Sequence, residues 1–257
     1  MIPDISIVIP AYNEERYLPT CLESIQRERE SSGLNVETVV VLNRCTDSTL
    51  QVAVAFGATT ITEDKKNIAR VRNTGVRASS ADVVLTIDAD SYFSHGLLSE
   101  LKAKVADQSA LCGGADFRPE RRSFPILLSY QLSKCLAKRA GGSMALYWFR
   151  RSLFDAIGGF DERRAIGEDI DFSSRLRAYA ERCGGRYVML KDSHVITSCR
   201  KFDEFGDWYA LRLFLFESAR AKSIMDGTNL TDLDRYYYET REDRPPVVEH
   251  DGYSKRD

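Results

Sequence analysis

Two apolar runs near the N-terminus constrain the fold more than any other feature of this chain. ISIVIP (residues 5–10) and VETVVVL (36–42) lack the polar alternation of a half-exposed strand, which marks strands covered on both faces. Between them, Asn13-Glu14-Glu15 leads into a segment whose Leu18, Leu22 and Ile25 keep helical spacing. The alternation continues with a helix over 49–57 stopped by Gly57, a brief strand over 58–62, a helix over 67–79, a strand over 82–88 and a helix over 96–105. Strands and helices in strict succession predict right-handed βαβ units and a parallel sheet, an α/β fold.

Beyond residue 110 the pattern is less regular. It predicts a strand over 111–117, a helix over 124–138 and a strand over 143–150. A short helix from Ser152, the turn Gly158-Gly159, an acidic helix from Glu168 and a strand over 186–190 follow. Residues 205–225 read as an aromatic-rich helix, and from about residue 236 the chain is polar with Pro245-Pro246. The expected organisation is one domain over 1–235, with halves 1–110 and 111–235, and a polar tail over 236–257.

The strand over 82–88 ends in Asp88-Ala89-Asp90. Two like charges at the mouth of an apolar strand oppose each other and resist desolvation, so a positive partner is expected between them. Paired hard carboxylates suit Mg²⁺ or Mn²⁺, and a cation held there can bind a diphosphate. Ligands of open α/β sheets also gather at the carboxyl ends of strands. Pro10, Ala11, Tyr12 and Glu14 close the first strand on that side: Tyr12 could stack on a flat ring, and Glu14 could accept hydrogen bonds from a base or ribose. Asn13 and Glu14 equally suit a helix start. In the loop after the second strand, Asn43 and Asp47 could read a base edge, or Asp47 could cap the helix at Thr49. Arg70 and Asn73 lie one turn apart on one helix face, pointing to the same pocket or to solvent.

Composition narrows the partners. A net charge of −2 gives no basic field for nucleic acid. The six cysteines include no C-x-x-C pair and read as buried or free thiols. No run approaches the roughly 18 apolar residues of a membrane span, and MIPDISIVIP reads as a strand without signal-peptide flanks. A cytoplasmic chain is expected, at the inner membrane face if its acceptor is a lipid. Neither G-x-G-x-x-G nor a P-loop occurs, which disfavours dinucleotide oxidoreductases and Walker-type NTPases.

IVIPAYNEE, the N-x-x-T-D-S-T loop, ARVRNTG and IDAD, in this order, resemble the nucleotide-binding half of the family-2 glycosyltransferases. GGSMALYWFRRSLFDAIGGFDE followed by GEDIDFSSRL is similar to their acceptor half. The resemblance runs from about Ile5 to Arg200. It implies a GT-A fold, a nucleoside-diphosphate sugar as donor (a UDP-sugar first, a GDP-sugar next), a divalent metal, an acceptor with a free hydroxyl and, usually, inversion at the anomeric carbon. Carried over by position, Ala11, Tyr12 and Glu14 hold the nucleoside, with Asn43 and Asp47 near the base and Arg70 by the diphosphate or base. Asp88, Ala89 and Asp90 bridge metal, ribose and phosphates. Leu42-Asn43-Arg44 departs from the paired aspartates usual at that loop, leaving the nucleotide less defined.

The resemblance also implies that Asp169, in Gly167-Glu168-Asp169, takes the acceptor proton while Glu168 orients it or touches the acceptor. The bland alternative is a pair of first-turn acids favoured by the helix dipole, worth about 0.3–1 kcal/mol each. It further implies His194 as a third metal ligand beside Asp90, where a structural histidine is the alternative. Arg200 and Lys201 follow closely and could clamp the diphosphate, or form a solvated basic turn. Gly141-Gly142-Ser143 and Trp148 are expected to shape the acceptor pocket, glycine by close backbone approach and Trp148 by a flat apolar face. Trp148 reads equally as a core aromatic. The apolar helix over 205–216 fits a membrane surface, the sheet or a second subunit of a homodimer. The Q-x-x-R-W signature of processive synthases is missing, so transfer of a single sugar is favoured.

Overall fold

The structure, a computed structural model, describes residues 2–139, 145–164 and 167–216, the last four by backbone alone. Eight strands form one sheet in the order β3-β2-β1-β4-β7-β6-β8-β5. β1 (Ile5–Ala11), β2 (Val36–Leu42), β3 (Thr59–Thr62) and β4 (Val83–Ile87) are mutually parallel. β7 (Leu146–Arg150) runs antiparallel between β4 and β6 (Ala110–Pro119). β6 pairs in parallel with β8 (Arg186–Thr197), which carries the short β5 (Ser91–Phe93) antiparallel at its edge.

Every residue of β1 and β4 is buried, as expected for strands covered on both sides. Pleat alternation divides them between two cores. Ile5, Ile7, Ile9, Leu85, Ile87 and Trp148 pack with α1 (Leu18–Ser32) and α4 (Leu97–Val105) on one face. Val8, Val41, Val84, Tyr147 and Phe149 face α3 (Ile68–Ala78), α6 (Arg151–Ile157) and α7 (Glu168–Arg182) on the other. The second core stacks Phe160 on Phe172 at 3.7 Å between ring centroids. α3 lies close enough to the sheet that a Cβ at Gly75 would come 2.3 Å from Val8 Cγ1 and 2.7 Å from Val41 Cγ2.

From β1 the chain steps outward through β2 and β3, then crosses back to add β4 on β1's other side. That reversal opens a crevice at the carboxyl ends of β1 and β4, and the site forms there.

Several sequence expectations change. The strand expected over 186–190 continues to Thr197, because β6 and β5 pair with its two flanks. β5 was too short to show a periodicity. Within the described residues the helix expected over 205–225 is broken into α8 (Arg200–Phe205) and α9 (Tyr209–Phe216), separated at Gly206, whose φ of 86° and ψ of 154° no helix continues; residues 217–225 lie outside the described residues. α2 (Thr49–Ala55) and α5 (Phe124–Arg139) fall where expected. Phe124 at the start of α5 meets Trp208 just before α9, at 6.5 Å between ring centroids. No helix of the described residues is long and apolar enough to cross a membrane. The polar tail expected over 236–257 lies outside the described residues.

Candidate active site

The crevice floor is made by two loops stapled to each other. After β1, Asn13 adopts φ 50°; after β2, Arg44 adopts φ 55°, a left-handed conformation uncommon outside glycine and often met at functional sites. Asn13 Oδ1 accepts from Thr46 N at 2.8 Å. Glu14 N donates to Thr49 Oγ1 at 2.8 Å, and Glu15 N to Asp47 Oδ2 at 3.0 Å. Pro10, Ala11 and Tyr12 are buried, and the Arg44 guanidinium lies 5.2 Å over the Tyr12 ring.

Two residues assigned to the base serve the loops instead. Asn43 is 4% exposed, and its amide donates to the carbonyls of Glu63 and Lys65, so both amide hydrogens tie down the following segment. Asp47 accepts from Thr49 N at 3.0 Å and from Thr49 Oγ1, in addition to Glu15 N. The N-cap position of α2 is Ser48, so Asp47 is neither a base reader nor the cap: its i to i+2 contacts with Thr49 brace the turn just before the helix.

The carboxylate pair sits where β4 ends, with Ala89 buried between its members. Each aspartate has its own arginine. Arg72 Nη2 lies 2.5 Å from Asp88 Oδ1, and Arg200 Nη2 lies 2.9 Å from Asp90 Oδ2. Arg200 Nη1 also donates to both Glu14 oxygens at 3.0 and 2.9 Å, joining the ends of β1, β4 and β8. Arg70, the arginine expected here, turns away: its Nε meets Glu63 at 2.9 Å and its Nη1 meets Glu162 at 3.5 Å.

The arginine that reaches the pair from α3, Arg72, was missed. Its signal was present: Ala69, Arg72 and Val76 follow i, i+3, i+7 spacing and all are buried, which puts a cation on an apolar helix face. Arg72 is 5% exposed. Its Nε stands 3.8 Å from Glu168 Oε1, and Nε and Nη1 have no hydrogen-bond partner among the described residues.

Across Arg72 lies the start of α7. Glu168 is 5% exposed and Asp169 partly buried. Asp169 Oδ1 accepts from Ile170 N at 2.7 Å, and Oδ2 accepts from the Tyr147 hydroxyl at 3.2 Å. Tyr147 was also missed; the alternation in LYWFR places it opposite Trp148, on the face toward α7. Burial and the neighbouring Asp169 raise Glu168 to about 8. Burial also raises Asp169, but Arg72, the Ile170 amide and Tyr147 oppose the rise. Both carboxyl groups are thus raised by burial, and Asp169, unlike Glu168, has the Tyr147 hydroxyl among the groups that favour its charged form.

Two further expectations fail on position. Trp148 is fully buried in the core under Leu85 and Gly113, so its ring offers no face to a sugar. His194 pairs in register with Asp116 and feels Arg118, Asp116 and Lys134. It lies four strand residues before Ser198, which binds the Asp90 carbonyl, a separation of about 13 Å at ordinary strand rise, so His194 is not a ligand beside Asp90. Gly142 and Ser143 lie outside the described residues.

Among the described residues no group of three or more histidine, cysteine or carboxylate side chains forms a metal cage. The donor chemistry of Asp88 and Asp90 still fits a hard cation held by one or two carboxylates and completed by water and diphosphate oxygens.

The strand order and crevice define a GT-A architecture, and solved structures share it. The S. aureus TarS fragment 1–349, in complex with UDP-GlcNAc, aligns with a TM-score of 0.60 at 19% identity, over 76% of this chain and 58% of that one. The mannosyltransferase PcManGT of Pyrobaculum calidifontis, in complex with GDP-Man and Mn²⁺, gives 0.59 at 21% identity, over 76% and 57%. The profile of Glycosyl transferase family 2 matches residues 6–157, and the chain belongs to that family. The uncharacterized glycosyltransferase EpsJ of Bacillus subtilis is 26% identical over 223 residues, covering 77% of this chain and 64% of its own length. A PGL/p-HBAD biosynthesis glycosyltransferase of Mycobacterium tuberculosis is 28% identical over 213 residues, covering 79% and 78%.

Proposed function

We propose that the protein transfers a single sugar from a nucleoside-diphosphate sugar to an acceptor hydroxyl, with inversion. The observation that carries this reading is the meeting of Asp88, Arg72, Glu168 and Asp169 in one electrostatic cluster, with Arg72 and Glu168 buried and Asp88 open to solvent. It sets a diphosphate-type site beside a tuned carboxylate. UDP is the favoured nucleotide and GDP the next, since structural relatives are described with UDP-GlcNAc and with GDP-Man.

In this reading the loop of Tyr12 and Glu14 lies beside the nucleoside, Glu14 acting through the Arg200 that it holds, and Arg200 orients the diphosphate. Asp88 and Asp90 would hold Mn²⁺ or Mg²⁺, which when bound offsets the charge that develops on the leaving diphosphate. Asp169 accepts the hydroxyl proton as the acceptor oxygen bonds to the anomeric carbon. The bond from that carbon to the diphosphate oxygen breaks, and its electron pair leaves with the nucleoside diphosphate. Tyr147 holds Asp169 in place, and protonated Glu168 limits charge beside it.

Asp169→Asn keeps size and removes the base. Turnover of a UDP- and GDP-sugar panel is expected to fall at least about 10²-fold, with nucleotide binding by calorimetry nearly unchanged. Full turnover in Asp169→Asn would remove the base assignment.

A further inference from the structure

The guanidinium of Arg200 already engages Oδ2 of Asp90, a carboxylate that would hold the cation. Its side chain is 17% exposed, between Glu14 at 3% and Asp90 at 13%, and it lies 5.4 Å over the Tyr17 ring. Asp90 Oδ2 receives both Arg200 Nη2 at 2.9 Å and Ser198 Oγ at 3.2 Å. A divalent ion at about 2.0–2.6 Å from that carboxylate would meet the arginine's like charge at close range, in surroundings that screen it poorly. A metal there and Arg200 would therefore compete for Asp90.

The arginine has a second anchor. Nη1 is held by both oxygens of Glu14, and Glu14 is itself fixed through Thr49. Nη2 can leave Asp90 while Nη1 stays. The departing donor needs a new anionic partner, and a diphosphate, with its closely spaced charged oxygens, is the kind of group arginine recognises.

We propose that Arg200 is an internal counter-ion that gives up Asp90 only when a diphosphate arrives to receive it, so that divalent cation and nucleoside diphosphate bind together and each binds poorly alone. This rests on the donor-site reading above. By linkage, the diphosphate should tighten the cation as much as the cation tightens the diphosphate.

The test measures Mn²⁺ affinity by electron paramagnetic resonance and calorimetry, with and without UDP, corrected for Mn²⁺·UDP formed in solution. In the wild type, UDP is expected to tighten Mn²⁺ by about 5–150-fold, the usual range of such coupling. Arg200→Gln removes the competing charge and exposes Asp90 and Glu14 to the ion. Mn²⁺ alone should then bind roughly tenfold more tightly, and the gain from UDP should shrink. Arg200→Lys, which keeps the charge, should hold Mn²⁺ alone near the wild-type value. Unchanged or weaker Mn²⁺ binding in Arg200→Gln would overturn the proposal. If that variant does not fold, the wild type decides, since Mn²⁺ bound as tightly without UDP as with it is equally contrary. If neither UDP nor GDP binds at all, the donor reading fails, while the Mn²⁺-only comparison still tests the role of Arg200.

Discussion

Asp88 and Asp90 are one residue apart in sequence, yet they are neutralised by arginines 128 positions apart, Arg72 from α3 and Arg200 from α8. The repulsion that their spacing poses is thus met by the protein before any ligand arrives. Glu168 shows the opposite treatment, since its burial beside Asp169 raises it from 4.5 to about 8. A carboxyl group whose folded value lies above its unfolded one binds more protons in the native state. Its stabilising contribution is complete below about pH 4.5 and is lost as pH rises through 8. Glu168→Gln should flatten that loss, leaving a melting temperature that falls less between pH 5 and 9 than in the wild type. The difference is on the order of a few kcal/mol over the window, readable by calorimetry, and parallel curves would show that Glu168 does not titrate there. At this scale the sequence told the type of group more reliably than its partner. Asp88, Asp90, Glu14 and Arg200 are joined by ion pairs with Arg72 and with one another, and Glu168 lies beside Arg72, next to Asp169. Arg70, Asn43 and Asp47 did not follow suit, because a polar side chain in a loop or on a helix turns to whichever partner the fold brings nearest. That information is three-dimensional.

Helix α3 shows how an element sets the site. Its glycine at position 75 lets the helix approach β1 and β2, and the same turn of helix carries Arg72 to Asp88. Gly75→Ala would drive a methyl into Val8 and Val41, an overpacking cost of about 1–3 kcal/mol. Denaturant unfolding should show that loss. Donor binding should weaken as well, because the helix cannot move off the sheet without moving Arg72; unaltered stability would mean that the sheet absorbs the methyl freely. Strong periodicity made α3 and the buried strands legible in the sequence. β8 was shortened in that reading because its later half, KDSHVIT, contains polar residues whose places are set by pairing with β6 and β5. The misplacement of His194 followed from the same error. Trp148 was open between core and pocket because LYWFR is apolar on both faces, and only the packing of two cores resolves it.

On the scale of the whole molecule, the ends of β1 and β4 supply Glu14, Asp88 and Asp90, and β7, α7 and α8 supply Tyr147, the facing carboxylates and Arg200. The chain spans 64% of the length of EpsJ and 58% of the TarS fragment. A ligand that binds across β1, β4 and α8 ties together segments distant in sequence and should stabilise the fold by mass action, about 2.7 kcal/mol at a concentration one hundred times Kd. The most direct measurement is a thermal-shift screen against UDP-, GDP- and dTDP-sugars with and without Mn²⁺, in the wild type and in Asp90→Ala. A rise in melting temperature that needs both nucleotide and metal, and disappears in Asp90→Ala, is the predicted result. No shift with any donor, or a shift that survives in Asp90→Ala, would contradict a donor site built on the carboxylate pair.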